Sequence, residues 1–151
     1  MSGGGVRRVA AIDCGTNSLR LLIADVDPAT QHLRDVHRRM EIVRLGQGVD
    51  ATGRFDPAAL QRALSLTAEY AQSCRDADVS AIRFVATSAS RDAADAHVFI
   101  DGVRELLGVE PEVITGAEEA ALSFLGATRG LEAIAVPAEE RLPVLVVDIG
   151  G

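Results

Sequence analysis

Apolar and polar positions along this chain fall into blocks of two different periods. Residues 6–13, "VRRVAAID", and 19–26, "LRLLIADV", are short, nearly continuous apolar runs, the pattern of strands buried on both faces. Between them lies a polar turn, and "DPAT" at 27–30 is a second turn in which Pro28 presets φ. Residues 31–45 alternate instead. Leu33 is out of step, but Val36, Met40 and Ile42 share one face with arginines between them, which predicts a third, antiparallel strand. Gly46, Gly48 and Gly53 mark a loop.

The period then changes. Asp56-Pro57 supplies a cap and a first-turn proline. Leu60, Leu64, Thr67, Ala71 and Cys74 recur at helical spacing, predicting a helix over 57–76. "AIRFVAT" at 81–87 predicts a strand. Asp92 or Asp95 caps a helix striped by Phe99, Val103, Leu106 and Leu107 and stopped by Gly108. "PEVI" at 111–114 predicts a strand, and Thr115 starts a helix running to about Gly126. Residues 129–142 read as a polar, proline-containing linker, and "PVLVVDIGG" from 143 as a strand entering glycines. The order is βββαβαβα and then a new strand, an α/β pattern. "VAAIDCGTN" at 9–17 and "VLVVDIGG" at 144–151 share one plan: apolar strand, terminal Asp, one residue, Gly. That echo predicts two similar domains, 1–128 and a second beginning at 143.

Bulk properties narrow the chemistry. The net charge of −7, with no Trp and few aromatics, disfavours nucleic-acid and membrane partners. All fifteen basic residues are arginine, so any phosphate site must use Arg, backbone N–H groups, hydroxyls or a metal. Cys14 and Cys74 have neither metal-ligand nor disulfide spacing, and a cytoplasmic setting is the default.

Three polar clusters at strand ends carry candidate chemistry. In "IDCGTNS", Gly15 lets backbone N–H groups approach an anion, while Thr16, Asn17 and Ser18 add side-chain donors. Asp13 would repel a phosphate by itself, which implies a divalent cation or water between them. An ordinary polar hairpin turn accounts for these residues equally well. In "ATSASR", Arg91 stands where a helix begins, a place that a bound anion would make favourable for an arginine; a solvated surface arginine is the alternative. In "ITGAEEA", Thr115 and Glu118 have the spacing of a capping box, leaving Glu119 free to orient and deprotonate a water. Favourable placement of a carboxylate in a first helical turn is the plainer reading of Glu119.

Taken in order, "AAIDCGTNSLRLLIAD", "VRLGQGVDATGRF", "FVATSASRDA", "VITGAEEA" and "VVDIGG" resemble the exopolyphosphatase / guanosine pentaphosphate phosphohydrolase (Ppx/GppA) family. The first piece alone also resembles sugar kinases of the same superfamily. The resemblance implies a ribonuclease H-like fold of the actin-like ATPase superfamily: a mixed sheet flanked by helices, the first of two duplicated domains. It implies release of terminal phosphate from inorganic polyphosphate, or of the 5′-γ-phosphate of pppGpp, with Mg²⁺. By the same resemblance Glu119 is the catalytic base, and Asp13 and Asp148 position the metal. Gly15, Thr16, Asn17, Ser18, Arg91, Gly150 and Gly151 bind phosphate, and Arg20 on the second strand is a further candidate. The full-length protein would be a homodimer. The family pattern continues beyond "DIGG", so the chain has the look of a fragment, inactive alone. A sugar-kinase-type phosphotransferase and a non-catalytic polyphosphate or nucleotide sensor are the competing readings.

Overall fold

A computed structural model describes residues 5–129 and 145–147. Five strands form one mixed sheet: β1 (Arg7–Cys14), β2 (Ser18–Val26), β3 (Leu33–Ile42), β4 (Ala81–Ala86) and β5 (Glu112–Val113), in the order β3-β2-β1-β4-β5. β1–β2 and β2–β3 are antiparallel; β1–β4 and β4–β5 are parallel. The helices are α1 (Val49–Thr52), α2 (Pro57–Asp76), α3 (Ser88–Asp92), α4 (Ala96–Leu107) and α5 (Gly116–Thr128). The expected mixed α/β sheet flanked by helices is therefore present, and α1 and α3 are short helices that the apolar pattern did not signal.

Strand alternation divides the sheet into two unlike faces. Ala10, Ile12 and Cys14 of β1, Leu19, Leu21 and Ile23 of β2, and Phe84 and Ala86 of β4 are buried against α2 and α4. Phe99 of α4 packs edge-on to Phe55 and tilted to Phe84, at centroid distances of 6.1 and 6.0 Å. α2 begins as its sequence predicts, with the Asp56 side chain accepting from the Ala59 N–H at 2.9 Å and Pro57 in the first turn. Its buried face is richer than the expected stripe, since Ala59, Ala63, Leu66 and Tyr70 join Thr67, Ala71 and Cys74. Tyr70 donates its hydroxyl to the Leu19 carbonyl at 3.0 Å, fastening α2 to β2. α4 starts after Asp95, whose carboxylate accepts from the Phe55 N–H instead of capping its own helix. Gly108 ends it in the left-handed region at φ +69°, where glycine carries no Cβ penalty.

The opposite face is more open. α5 crosses it, but none of its residues is buried, and Leu122, Phe124 and Leu125 are exposed. β3 is the expected antiparallel strand, at the sheet edge. Met40 and Ile42 lie on the open face and are exposed, while Val36 sits at a bulge between the Ile23–His37 and Ala24–Asp35 pairs. The bulge and the run of charged side chains discourage further strand pairing at this edge. Near the end of β2, Asp25 is gripped by Arg8 (2.8 Å) and by Arg34. Arg8 first, then Arg34, holds its carboxyl below the ordinary range.

α5 ends at Thr128, close to the expected domain boundary. The linker at 129–142 lies almost wholly outside the described residues. So do Asp148, Gly150 and Gly151. The strand expected over 144–148 is not seen in its described part: residues 145–147 form no regular element, and Leu145 and Val147 are exposed.

Candidate active site

At the carboxyl ends of β1 and β4, three segments meet. The first is the turn Gly15–Ser18, closed by the Gly15 N–H donating to the Ser18 carbonyl at 3.0 Å. The second is the loop after β3. Its Val43 and Arg44 N–H groups both donate to the Asn17 carbonyl at 2.9 Å, and the Gly46 N–H donates to the Thr16 carbonyl at 2.8 Å. The third is the bend into α3, whose Thr87 N–H donates to the Cys14 carbonyl at 3.1 Å. The Thr16 and Ser88 hydroxyls share a hydrogen bond of 2.7 Å. Thr16 is thus engaged inside the protein. Among the described residues the Asn17 side chain and the Ser18 hydroxyl have no partner, and those two groups remain available as donors.

Beside this turn is a cleft of about 300 Å³ on the open face. Ala11 and Asp13 of β1, Arg20 of β2, Arg83 and Val85 of β4, Thr87, and Glu119 with Leu122 of α5 line it. Strand register explains the grouping. Asp13 pairs with Arg20 across β1–β2 and with Val85 across β1–β4, so the side chains at these positions share one face. Arg20 Nη1 donates to Asp13 Oδ2 at 3.1 Å, with both side chains about half exposed. Exposed pairs of this kind are worth about 0–1 kcal/mol, so a cation or a phosphate oxygen can open this one at little cost. Arg83 forks onto Glu112 at 3.0 and 2.7 Å and holds that carboxyl below its ordinary range.

The two neighbouring glutamates separate as the capping argument requires. Glu118 Oε2 accepts from both the Thr115 N–H and hydroxyl at 2.8 Å, and the Glu118 N–H donates to Thr115 Oγ1 at 3.2 Å. Glu119, one residue and about 100° further round the helix, lines the cleft and is half-buried. Its carboxylate has no hydrogen bond or ion pair among the described residues.

Arg91 requires a correction. It does not stand at a helix N-terminus but in the last turn of α3, where the helix dipole favours a cation. Its Nη1 donates to the Ile114 carbonyl at 2.9 Å and its Nε lies 3.6 Å from Asp92. The electrostatic argument for an anion there therefore falls, and Arg91 has a structural task in joining α3 to the entry of α5. Nearby, the buried Ser90 hydroxyl has no partner among the described residues, a desolvation cost of about 1–3 kcal/mol. Burial, and secondarily the charge of Asp13, push the Cys14 thiol far up, which rules it out as a nucleophile.

Sequence reasoning missed Arg83, and within the cluster "ATSASR" it singled out Arg91 and not Thr87 or Ser88. The period-2 alternation of "AIRFVAT" could have placed Arg83, Val85 and Thr87 opposite the core-facing Phe84 and Ala86.

Among the described residues no three His, Cys, Asp or Glu side chains converge on one point. Asp13 alone still suits Mg²⁺, which commonly takes one or two carboxylates and completes its shell with water and substrate phosphate. No described helix is long and apolar enough to cross a membrane.

The family model described as "Ppx/GppA phosphatase family" matches residues 22–151. Exopolyphosphatase 2 of Mycobacterium tuberculosis is 50% identical over 151 residues, covering 95% of this chain and 46% of that protein. Guanosine-5′-triphosphate,3′-diphosphate pyrophosphatase of Vibrio campbellii is 34% identical over 143 residues, covering 94% of this chain and 27% of that protein. A crystal structure of the Aquifex aeolicus Ppx/GppA family member superposes with a TM-score of 0.77 at 31% identity, over 85% of this chain and 41% of that one. The chain thus spans less than half the length of these relatives.

Proposed function

Since the chain belongs to the Ppx/GppA phosphatase family, we propose that it forms one wall of the active site of a phosphohydrolase that removes terminal phosphate from inorganic polyphosphate or pppGpp. The observation that carries this reading is the shared cleft. Glu119 from α5, with its carboxylate uncommitted, and Asp13 and Arg20 from the first hairpin line one space of about 300 Å³.

In this reading Glu119 accepts a proton from a water in the cleft. The water oxygen bonds to the terminal phosphorus as the bridging P–O bond breaks, and the shortened chain leaves with the bridging oxygen. Arg20, released from Asp13, neutralises charge on the phosphoryl oxygens, and the Asn17 and Ser18 donors hold the phosphate in register. Arg91 acts on phosphate only indirectly, through the α3–α5 junction. Asp13, with Asp148, would hold Mg²⁺, which supplies positive charge to the phosphoryl oxygens when bound. Because the chain spans less than half the length of its relatives, residues 1–151 alone are expected to be inactive.

In the enzyme that carries these residues, Glu119→Gln is expected to lower phosphate release by about two to four orders of magnitude, the range for loss of a general base, with substrate binding little changed. Phosphate should appear from polyphosphate with no acceptor present, which separates a hydrolase from a sugar-kinase-type transferase. Undiminished release by Glu119→Gln would refute the assignment.

A further inference from the structure

A polyanion needs uncommitted positive charge, and most arginines here are already committed. Arg20 pairs with Asp13, Arg83 with Glu112, Arg39 with Glu41 and Glu69, and Arg91 with the Ile114 carbonyl and Asp92. Arg44 differs. Among the described residues its guanidinium makes no ion pair and no hydrogen bond, and the residue is exposed.

Its backbone is unusual as well. Arg44 has φ +53°, in the left-handed region that residues with a Cβ seldom adopt. A neighbouring glycine could have taken that conformation without strain, so an arginine there calls for a reason. The position supplies one. The Arg44 N–H and that of Val43 donate to the Asn17 carbonyl, and the Gly46 N–H donates to the Thr16 carbonyl. These three bonds fix the arginine's backbone rigidly against the turn that carries the free Asn17 and Ser18 donors.

We infer that Arg44 is a binding residue for a second phosphate of the substrate chain, one unit in from the phosphate held at Gly15–Ser18. The inference rests on the phosphohydrolase reading but not on Glu119. The Arg44 N–H bond to the Asn17 carbonyl holds the backbone from which the guanidinium extends beside the turn. Its planar fork suits the two free oxygens of an internal phosphate, and an exposed contact of this kind weakens with salt.

The test is an amide NMR titration of the 151-residue chain with inorganic tripolyphosphate at low salt. Saturable shifts are expected at Gly15–Ser18 and Arg44. Arg44→Gly keeps the left-handed backbone and removes the side chain, so folding should survive. It should weaken tripolyphosphate binding about ten-fold while leaving inorganic phosphate binding unchanged. Arg44→Lys should recover part of the loss. Arg7→Ala, a change at the far end of β1, should have no effect. Equal affinity of wild type and Arg44→Gly for tripolyphosphate would overturn the inference, as would equal weakening by Arg7→Ala or no saturable shift at the turn. The phosphohydrolase reading itself stands or falls on phosphate release and Glu119, so the two failures are distinguishable.

Discussion

Gly46 is the position where the packing of the candidate site can be tested most directly. A Cβ built there would overlap Thr16 Cγ2 and would lie 3.4 Å from both Thr16 Cβ and the Thr16 carbonyl oxygen. An isolated threonine methyl could rotate away. This one cannot do so freely, because the Thr16 hydroxyl is bonded to Ser88 Oγ at 2.7 Å and turning χ1 breaks that bond. Backing the loop off instead would stretch the Gly46 N–H bond to the Thr16 carbonyl. Gly46→Ala therefore faces either overpacking, costing about 1–3 kcal/mol, or loss of one hydrogen bond, costing about 0.5–1.5 kcal/mol. The cheaper mixture of the two is about 1.5 kcal/mol. In a chain of this length that corresponds to a fall in Tm of about 3–6 °C.

Urea unfolding of Gly46→Ala, Thr16→Ser and the double variant separates the causes. Thr16→Ser removes the offending methyl and keeps the hydroxyl. If the overlap is the cause, the double variant should be more stable than the sum of the two single losses predicts, by about 1 kcal/mol. Strict additivity, or a Gly46→Ala variant as stable as wild type, would refute the reasoning.

Two further changes probe the scaffold. Tyr70→Phe removes a buried donor to the Leu19 carbonyl and should cost about 1–2 kcal/mol by urea unfolding; an unchanged midpoint would show that α2 does not depend on this tie. Asp25 has its pKa lowered by Arg8 and Arg34, so its contribution is present above the ordinary aspartate range and is lost as pH falls through the lower folded value. Asp25→Asn should therefore lower stability at neutral pH and flatten the acid limb of the stability curve, and a limb of unchanged slope would exclude Asp25 as its source.

How much of this was legible in the sequence depended on the range of the interaction. Caps are local, and they were readable: Asp56 and Pro57 start α2, the Thr115–Glu118 box starts α5, and Gly108 stops α4. The separation of Glu118 from Glu119 needed only the helical period. The strands of the described sheet were readable too, because an apolar run beside an alternating one distinguishes a central strand from an edge, whereas the apolar run at 145–147 forms no regular element in its described part. Arg91 failed because its reading required the start of the next helix, and the five-residue α3 has too little periodicity to show itself. Asp92 and Asp95 both fit a cap by composition, yet Asp95 spends its carboxylate on Phe55, forty residues away. No local rule reports such a bond.

The turn at Gly15–Ser18 shows why long-range contacts change what a motif means. Read alone, Thr16, Asn17 and Ser18 form a row of equivalent donors. In the fold they divide. Thr16 uses its methyl, hydroxyl and carbonyl to clamp the β3–α1 loop and the α3 bend, while the Asn17 carbonyl takes two further N–H groups. Among the described residues the Asn17 amide and the Ser18 hydroxyl of this turn are left without partners. That division suits the proposed binding of a highly charged chain by an acidic protein. Donors aimed at an anion stabilise it most when they need not reorganise, and reorganisation is prevented here by groups that do not touch the ligand. In the proposed site the polar residues of the turn thus act in two ways, and the clamp is what holds two free donors and the Arg44 backbone in place at the carboxyl end of β1.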